Sequence, residues 1–261
     1  MRQHEENEED LPSMSLGDHL DELRARLILA LVGLVVAVVI SCLFGGYFIQ
    51  LLMKPYEQAI RAEGLTPNVQ AITVAEPMML YIKAVLVMGA ILSSPWLFYQ
   101  FWAFIASGLY KNERKFVHKV VPFSAGLFIA GTLFFLFVIA PMTMRFFIKF
   151  NIGIPYLQYN PQITDYVDLM LIMALLFGLS FQLPLFIIFL VKLGLVELDT
   201  LKKIRKYVVL GVFIVAAAVT PSGDMISQTA LAIPLYILYE GSILYCGGLQ
   251  KVTRKTGTLP K

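Results

Sequence analysis

The residues in this sequence best suited to chemistry sit where its long apolar runs end. Asp21 and Glu22 lie just before the first run, and Glu113 lies in the charged segment Lys111-Asn112-Glu113-Arg114-Lys115 after the second. Carboxylates held at a partly dry interface select a guanidinium, which offers two parallel charge-assisted hydrogen bonds. If the spans pack together, Glu22 and Glu113 can face one ligand. Local pairing competes with this reading, Glu22 with Arg26 at i,i+4 and Glu113 with Arg114 or Lys115. Spacing leaves both open. Gln182 falls near the middle of an apolar run, where an amide acts as interhelical glue, within the chain or to another subunit. Asp224 is placed to cap the helix that follows it, and Ser227 and Gln228 in the first turn face that cap or a partner. Glu240 is expected to pair with Arg205 or Lys206.

Other chemistries lack their residues. There is no GxxxxGK[ST] phosphate loop, no HExxH and no GxSxG, and His4, His19 and His118 all lie outside the apolar cores. Cys42 and Cys246 have no framework spacing, so neither disulfide nor metal is expected. Nothing calls for a cofactor or for nucleic acid. An intramembrane enzyme would need a nucleophile and base or metal ligands. A small-solute carrier or channel, the alternative from another class, would need ionisable residues at mid-membrane or an internal repeat. Neither pattern is present, which leaves a scaffold that binds something.

The elements that position these residues are membrane spans. The 261 residues are 58% hydrophobic and 15% charged, with a mean hydropathy of +0.73. Ordinary globular domains carry about 25% charged residues. The apolar residues collect in blocks, as in an all-α, polytopic membrane protein. Residues 1–14 read as a disordered acidic tail, 15–246 as one membrane domain of six helices, and 247–261 as a basic tail. The start SLGDHLDELRARLILAL is amphipathic, with Leu20, Leu23, Leu27 and Leu31 at helical spacing. Spans are expected over about 27–49, 76–104, 120–142 and 167–191, joined outside the membrane by 53–75 and 145–166. Two more, 207–220 and 225–239, cover about 21–23 Å each, short of a hydrocarbon core of about 30 Å. Of the 21 lysines and arginines only Lys54, Arg61, Lys83, Arg145 and Lys149 fall on the outer side of this scheme. That bias places both termini in the cytosol.

Four stretches in this order resemble the TatC family, the multispanning receptor of the twin-arginine protein translocase. HLDELRARL (His19 to Leu27) is similar to its N-terminal helix, and SPWLFYQFWAFIASGLYKNERK (Ser94 to Lys115) to its first cytosolic loop and the helix before it. FGLSFQLPL (Phe177 to Leu185) and TPSGDMISQTALAIPLYILYE (Thr220 to Glu240) resemble its fourth span and terminal hairpin. The resemblance implies a non-enzymatic receptor in the bacterial inner membrane. It would recognise signal peptides bearing paired arginines and export folded proteins using the proton-motive force. Glu22 and Glu113 match the family's arginine-pair site, with Arg24, Tyr110, Lys111 and Arg114 around it. Gln182, Asp224, Ser227, Gln228 and Tyr239 are the expected contacts to partner subunits. The implied partners are single-span TatA- and TatB-type subunits, further copies of the chain and the lipid bilayer. Gln182 stands where many members carry Glu, so an ionisable group is missing there while a hydrogen-bonding contact survives.

Overall fold

The computed structural model describes residues 16–108, 111–153, 160–219 and 225–256, with side chains apart from those of 16, 111–119, 218–219, 226–227 and 249–256. In chain order the helices are α1 (Leu16–Ala62), α2 (Glu76–Ser107), α3 (Lys111–Phe134), a π-helical turn (Phe135–Ile139) and α4 (Ala140–Ile152). They continue with α5 (Ile163–Ser180), α6 (Leu183–Lys192), α7 (Leu198–Lys203), α8 (Arg205–Val219) and α9 (Met225–Thr256). Among the described residues the only non-helical pairing is one parallel bridge, Gln70 with Gln162.

The all-helical expectation holds, and five helical stretches are long and apolar enough to cross a membrane: Gly17–Ala62, Glu76–Ser107, Val120–Ile152, Ile163–Lys192 and Gln228–Gly248. The sixth expected span, α8, has 15 residues, or about 22 Å at the helical rise. The expectation of two short final helices is corrected for α9, which runs past Glu240 to Thr256. Glu240 does not end it because the carboxylate accepts from Arg205 Nη2 and Tyr236 Oη, both at 2.9 Å.

Other boundaries also move. α1 continues through Pro55 to Ala62 and stops at Gly64, whose φ of +76° suits glycine. There Leu65 N–H bonds to Ile60 O at 3.2 Å and Gly64 N–H to Arg61 O at 3.1 Å, a Schellman arrangement that satisfies the last carbonyls. α4 runs on to Ile152, which shortens the connection expected over 145–166. The charged segment after α2, expected as a loop, is the first turn of α3.

The chain forms two compact units, one of residues up to Phe48 with Tyr81–Ile129, the other of Ile49–Leu80 with Ala130 onward. In the first, α1 and α2 pack backbone to backbone. A Cβ on Gly89 would lie 2.5 Å from Val38 Cγ2 and 2.9 Å from Val38 Cα, and one on Gly33 would enter the Trp96 indole. Small residues at such contacts let helices approach where lipid supplies no hydrophobic drive. Tyr81 Oη then donates to Cys42 O at 2.6 Å and Trp96 Nε1 to Leu29 O at 2.9 Å.

In the second unit, Val167, Ala174 and Phe177 of α5 are buried. Phe135 packs on Phe177 with ring centroids 5.2 Å apart, and Thr132 Oγ1 donates to Ala174 O at 3.2 Å. The π turn closes with Ala140 N–H on Phe135 O, just before Pro141, which has no N–H to continue a regular ladder. The connection between α1 and α2 is held by Glu76, which is 6% exposed. Its Oε2 accepts from the N–H groups of Ile72 (2.6 Å) and Thr73 (3.1 Å). Its Oε1 accepts from Gln162 Nε2 (2.8 Å) and Thr164 Oγ1 (2.6 Å). Tyr56 Oη donates to Asn68 O and Tyr166 Oη to Leu52 O, both at 2.6 Å.

Four donors converge on the Glu76 carboxylate, so an amide there places a donor among donors. Glu76→Gln is expected to lower the melting temperature of the detergent-solubilised protein clearly more than Glu57→Gln, a change at an exposed carboxylate of α1. Equal melting temperatures for the two variants would remove Glu76 as the anchor of this region.

Candidate functional site

Glu22 is on the second turn of α1, and helical spacing puts His19, Glu22 and Arg26 on one face. That face meets the last turns of α2. The His19 ring stacks on Phe104 with centroids 4.5 Å apart and planes 24° from parallel, and its Nδ1 lies 3.4 Å from Ser107 Oγ. Two turns further on, Arg26 Nε donates to Glu22 Oε1 at 2.7 Å, and its Nη1 donates to Gln100 Oε1 at 3.1 Å. Gln100 is 2% exposed, whereas the side chains of Glu22 and Arg26 are 26% and 29% exposed.

Of the two readings of Glu22, the local pair with Arg26 is therefore present. It engages one carboxylate oxygen through Nε alone. A guanidinium fork has five donors and a carboxylate about four acceptor positions, so the pair leaves Oε2 to accept further. The ion pair is only part-buried, and pairs of that kind contribute about 0–1 kcal/mol. It orients the carboxylate more than it stabilises the fold. Arg24 is exposed. Glu113, Lys111 and Arg114 lie in the first turn of α3, with side chains outside the described residues, and Tyr110 is outside them entirely.

The residues expected at partner contacts divide in the same way. Gln182 is not inside a continuous helix. It stands at the break between α5 and α6, its N–H on Leu179 O at 2.9 Å and its carbonyl accepting from Phe186 N–H at 3.0 Å. Pro184 explains the break, because it has no N–H for the preceding turn. Gln228 Nε2 reaches across to α8 and donates to Phe213 O at 2.9 Å. Tyr239 is 5% exposed, with its hydroxyl on Leu201 O at 2.7 Å, within a cluster with Leu198, Ile243 and Cys246. Ser227 lies in the first turn of α9 with its side chain undescribed, and Asp224 is outside the described residues. Glu240 pairs with Arg205 as expected, while Lys206 Nζ sits 5.0 Å from the Tyr207 ring centroid.

Sequence reasoning missed two participants. Gln100 is a lone amide in an aromatic run, the same signal that singled out Gln182. His19 was set aside as an imidazole outside the apolar cores, although it stands three residues before Glu22 on the same helical face.

Long apolar helices, with polar side chains collected at their ends and breaks, define a polytopic helical membrane protein. The sequence profile of the family "Sec-independent protein translocase protein (TatC)" matches residues 18–234. The TatC protein of Carboxydothermus hydrogenoformans is 38% identical over 237 residues, which cover 90% of this chain and 93% of that one. TatC of Escherichia coli K12 is 34% identical over 227 residues, 87% and 86% of the two chains. The crystal structure of the twin arginine translocase receptor TatC superposes with a TM-score of 0.75 at 31% identity, covering 88% of this chain and 98% of that one. A second crystal structure of a receptor of the same name, in DDM, gives 0.76 at 30% identity, over 87% and 98%. The chain belongs to the TatC family, and it is a protein translocase component rather than an enzyme.

The first turns of α1 are tied to α2 by His19 and Arg26, and removing the imidazole takes away a ring stack of about 0.5–1.5 kcal/mol beyond area burial. His19→Ala is expected to speed amide hydrogen exchange over residues 18–26 while leaving α5 unchanged. Unaltered exchange in those turns would mean that the stack does not hold the Glu22 helix.

Proposed function

We propose that the chain is the signal-peptide receptor and core subunit of the twin-arginine translocase. The observation that carries this reading is Glu22, a part-exposed carboxylate held at the α1–α2 junction with a guanidinium already on one oxygen. An acceptor oriented in this way suits a second, incoming guanidinium better than an ammonium, because the fork donates in a fixed plane and the ammonium is a point charge. Glu113, in the first turn of α3, is the second carboxylate of the pair. Arg24, Tyr110, Lys111 and Arg114 surround the bound arginines.

In this reading both termini lie in the cytosol of a bacterium, six helices cross the inner membrane, and cargo crosses folded, driven by the proton-motive force. The signal's apolar segment lies against the spans. Single-span TatA- and TatB-type subunits and further copies of this chain assemble on the outer faces of the helices. Gln228 beside α8 marks one such face and the α5–α6 break at Gln182 another, with Asp224 and Ser227 as further contacts, whereas Tyr239, expected as a contact, is buried with its hydroxyl on Leu201 O. The short α8 supports local thinning of the bilayer, the response expected where a helix is shorter than the hydrocarbon core.

The test is binding of a signal peptide with its arginine pair to the solubilised chain, beside the same peptide with both arginines changed to lysine. Truncating one partner of a desolvated hydrogen-bonded charge pair costs about 2–5 kcal/mol, a loss of more than tenfold. Glu22→Ala and Glu113→Ala should each show that loss with the arginine peptide and little further loss with the lysine peptide. If all proteins bind both peptides alike, the carboxylates are ordinary edge charges and the receptor site lies elsewhere.

A further inference from the structure

The stretch Val120–Ile152 is helical over 33 residues, about 50 Å at 1.5 Å per residue, against a hydrocarbon core of about 30 Å. The excess length leaves part of it outside the core, and the exposed cations near its C-terminal end assign those last turns to the headgroup layer. Arg145 and Lys149 lie there one turn apart, both exposed. Like charges at i,i+4 repel, and among the described residues neither makes an ion pair. Beside them Phe146 and Phe150 stack with centroids 6.0 Å apart and planes 26° from parallel, 37% and 61% exposed. With Ala62 and Glu63 at the end of α1, these four side chains line one open hollow.

The chemistry of that hollow is two-sided. Two cations and one carboxylate leave a single positive charge, which one phosphodiester balances. The stacked rings beside the cations present an apolar wall that a free anion does not need and that an acyl chain fills. Lysine and arginine near a membrane surface attract anionic headgroups.

We propose that this hollow binds an anionic phospholipid, with Arg145 and Lys149 on the phosphodiester oxygens and the Phe146–Phe150 pair against the first part of the acyl chains. Glu63 disfavours headgroups that carry more than one negative charge. The site is independent of the receptor reading of Glu22, so either stands if the other fails.

The experiment adds short-chain phosphatidylglycerol, short-chain phosphatidylcholine or inorganic phosphate to the full-length chain in neutral detergent. Bound lipid is read by native mass spectrometry. Phosphatidylglycerol should bind the native chain in preference to phosphatidylcholine, and Arg145→Gln with Lys149→Gln should weaken it about thirtyfold. Lys202→Gln with Lys203→Gln, at exposed cations of α7, should leave it unchanged. Both altered pairs are exposed, and a melting curve for each protein confirms that folding is retained. Equal phosphatidylglycerol binding by the native chain and the Arg145/Lys149 variant would overturn the proposal. So would displacement of the lipid by inorganic phosphate at equal concentration, which would make the hollow a simple anion site.

Discussion

Inside hydrocarbon a backbone N–H or C=O has no water to bond, so each must be satisfied within the protein. Most of this structure follows from that constraint. Its helices are long because a helix satisfies its own backbone, and its interesting residues gather where the ladder fails. At Gly64 and Gly194, with φ of +76° and +71°, the last carbonyls of α1 and α6 are taken by the following N–H groups. Before Pro141 the ladder widens into a π turn, and before Pro184 it breaks between α5 and α6. Each of these irregularities has an identified proline or glycine beside it.

The same constraint governs how the helices are joined. Many of the donors that cross between elements are long neutral side chains aimed at carbonyls: Tyr81 on Cys42, Trp96 on Leu29, Tyr166 on Leu52, Tyr239 on Leu201 and Gln228 on Phe213. In membranes such bonds are worth about 0.6 kcal/mol each on average, so no single one decides the fold. A set of them fixes the register of the helices without placing a charge in lipid. Among the described residues the ion pairs are few: Arg26 meets Glu22 in the early turns of α1, and Arg205, at the start of α8, reaches Glu240 within α9.

Run length made much of the architecture legible, because period and apolar content report burial in lipid as directly as burial in a core. The Arg205–Glu240 pair was legible from charge alone. The ends of α1 and α4 were not. Residues 53–75, with Pro55, read as a connection outside the membrane, yet Tyr56 and Ile60 are almost fully buried in the second unit, as is Leu52 before them, and that packing carries α1 to Gly64. Glu76 begins α2 as expected, but its anchoring role was not legible, because its partners, Gln162 and Thr164, are 86 and 88 residues away. Contacts at such separation leave no mark on local pattern. The local pair of Glu22 with Arg26 was legible from its i,i+4 spacing, whereas its tie to α2 was not, since that depends on the buried Gln100.

Gln100 also bears on why a guanidinium suits this place. Arg26 divides its donors, Nε to Glu22 and Nη1 to Gln100, so one planar fork spans two acceptors on two helices. A lysine at position 26 has a single ammonium at the end of a flexible stem and cannot hold both in a fixed plane. The carboxylate of Glu22 is thus presented by a neighbour that is itself locked, at a junction further pinned by the His19 stack. In the receptor reading, that rigidity lowers the ordering cost when a peptide arginine adds its own hydrogen bonds to the exposed side of the carboxylate. Discrimination between arginine and lysine then rests on planar geometry set before the ligand arrives, which charge alone does not provide.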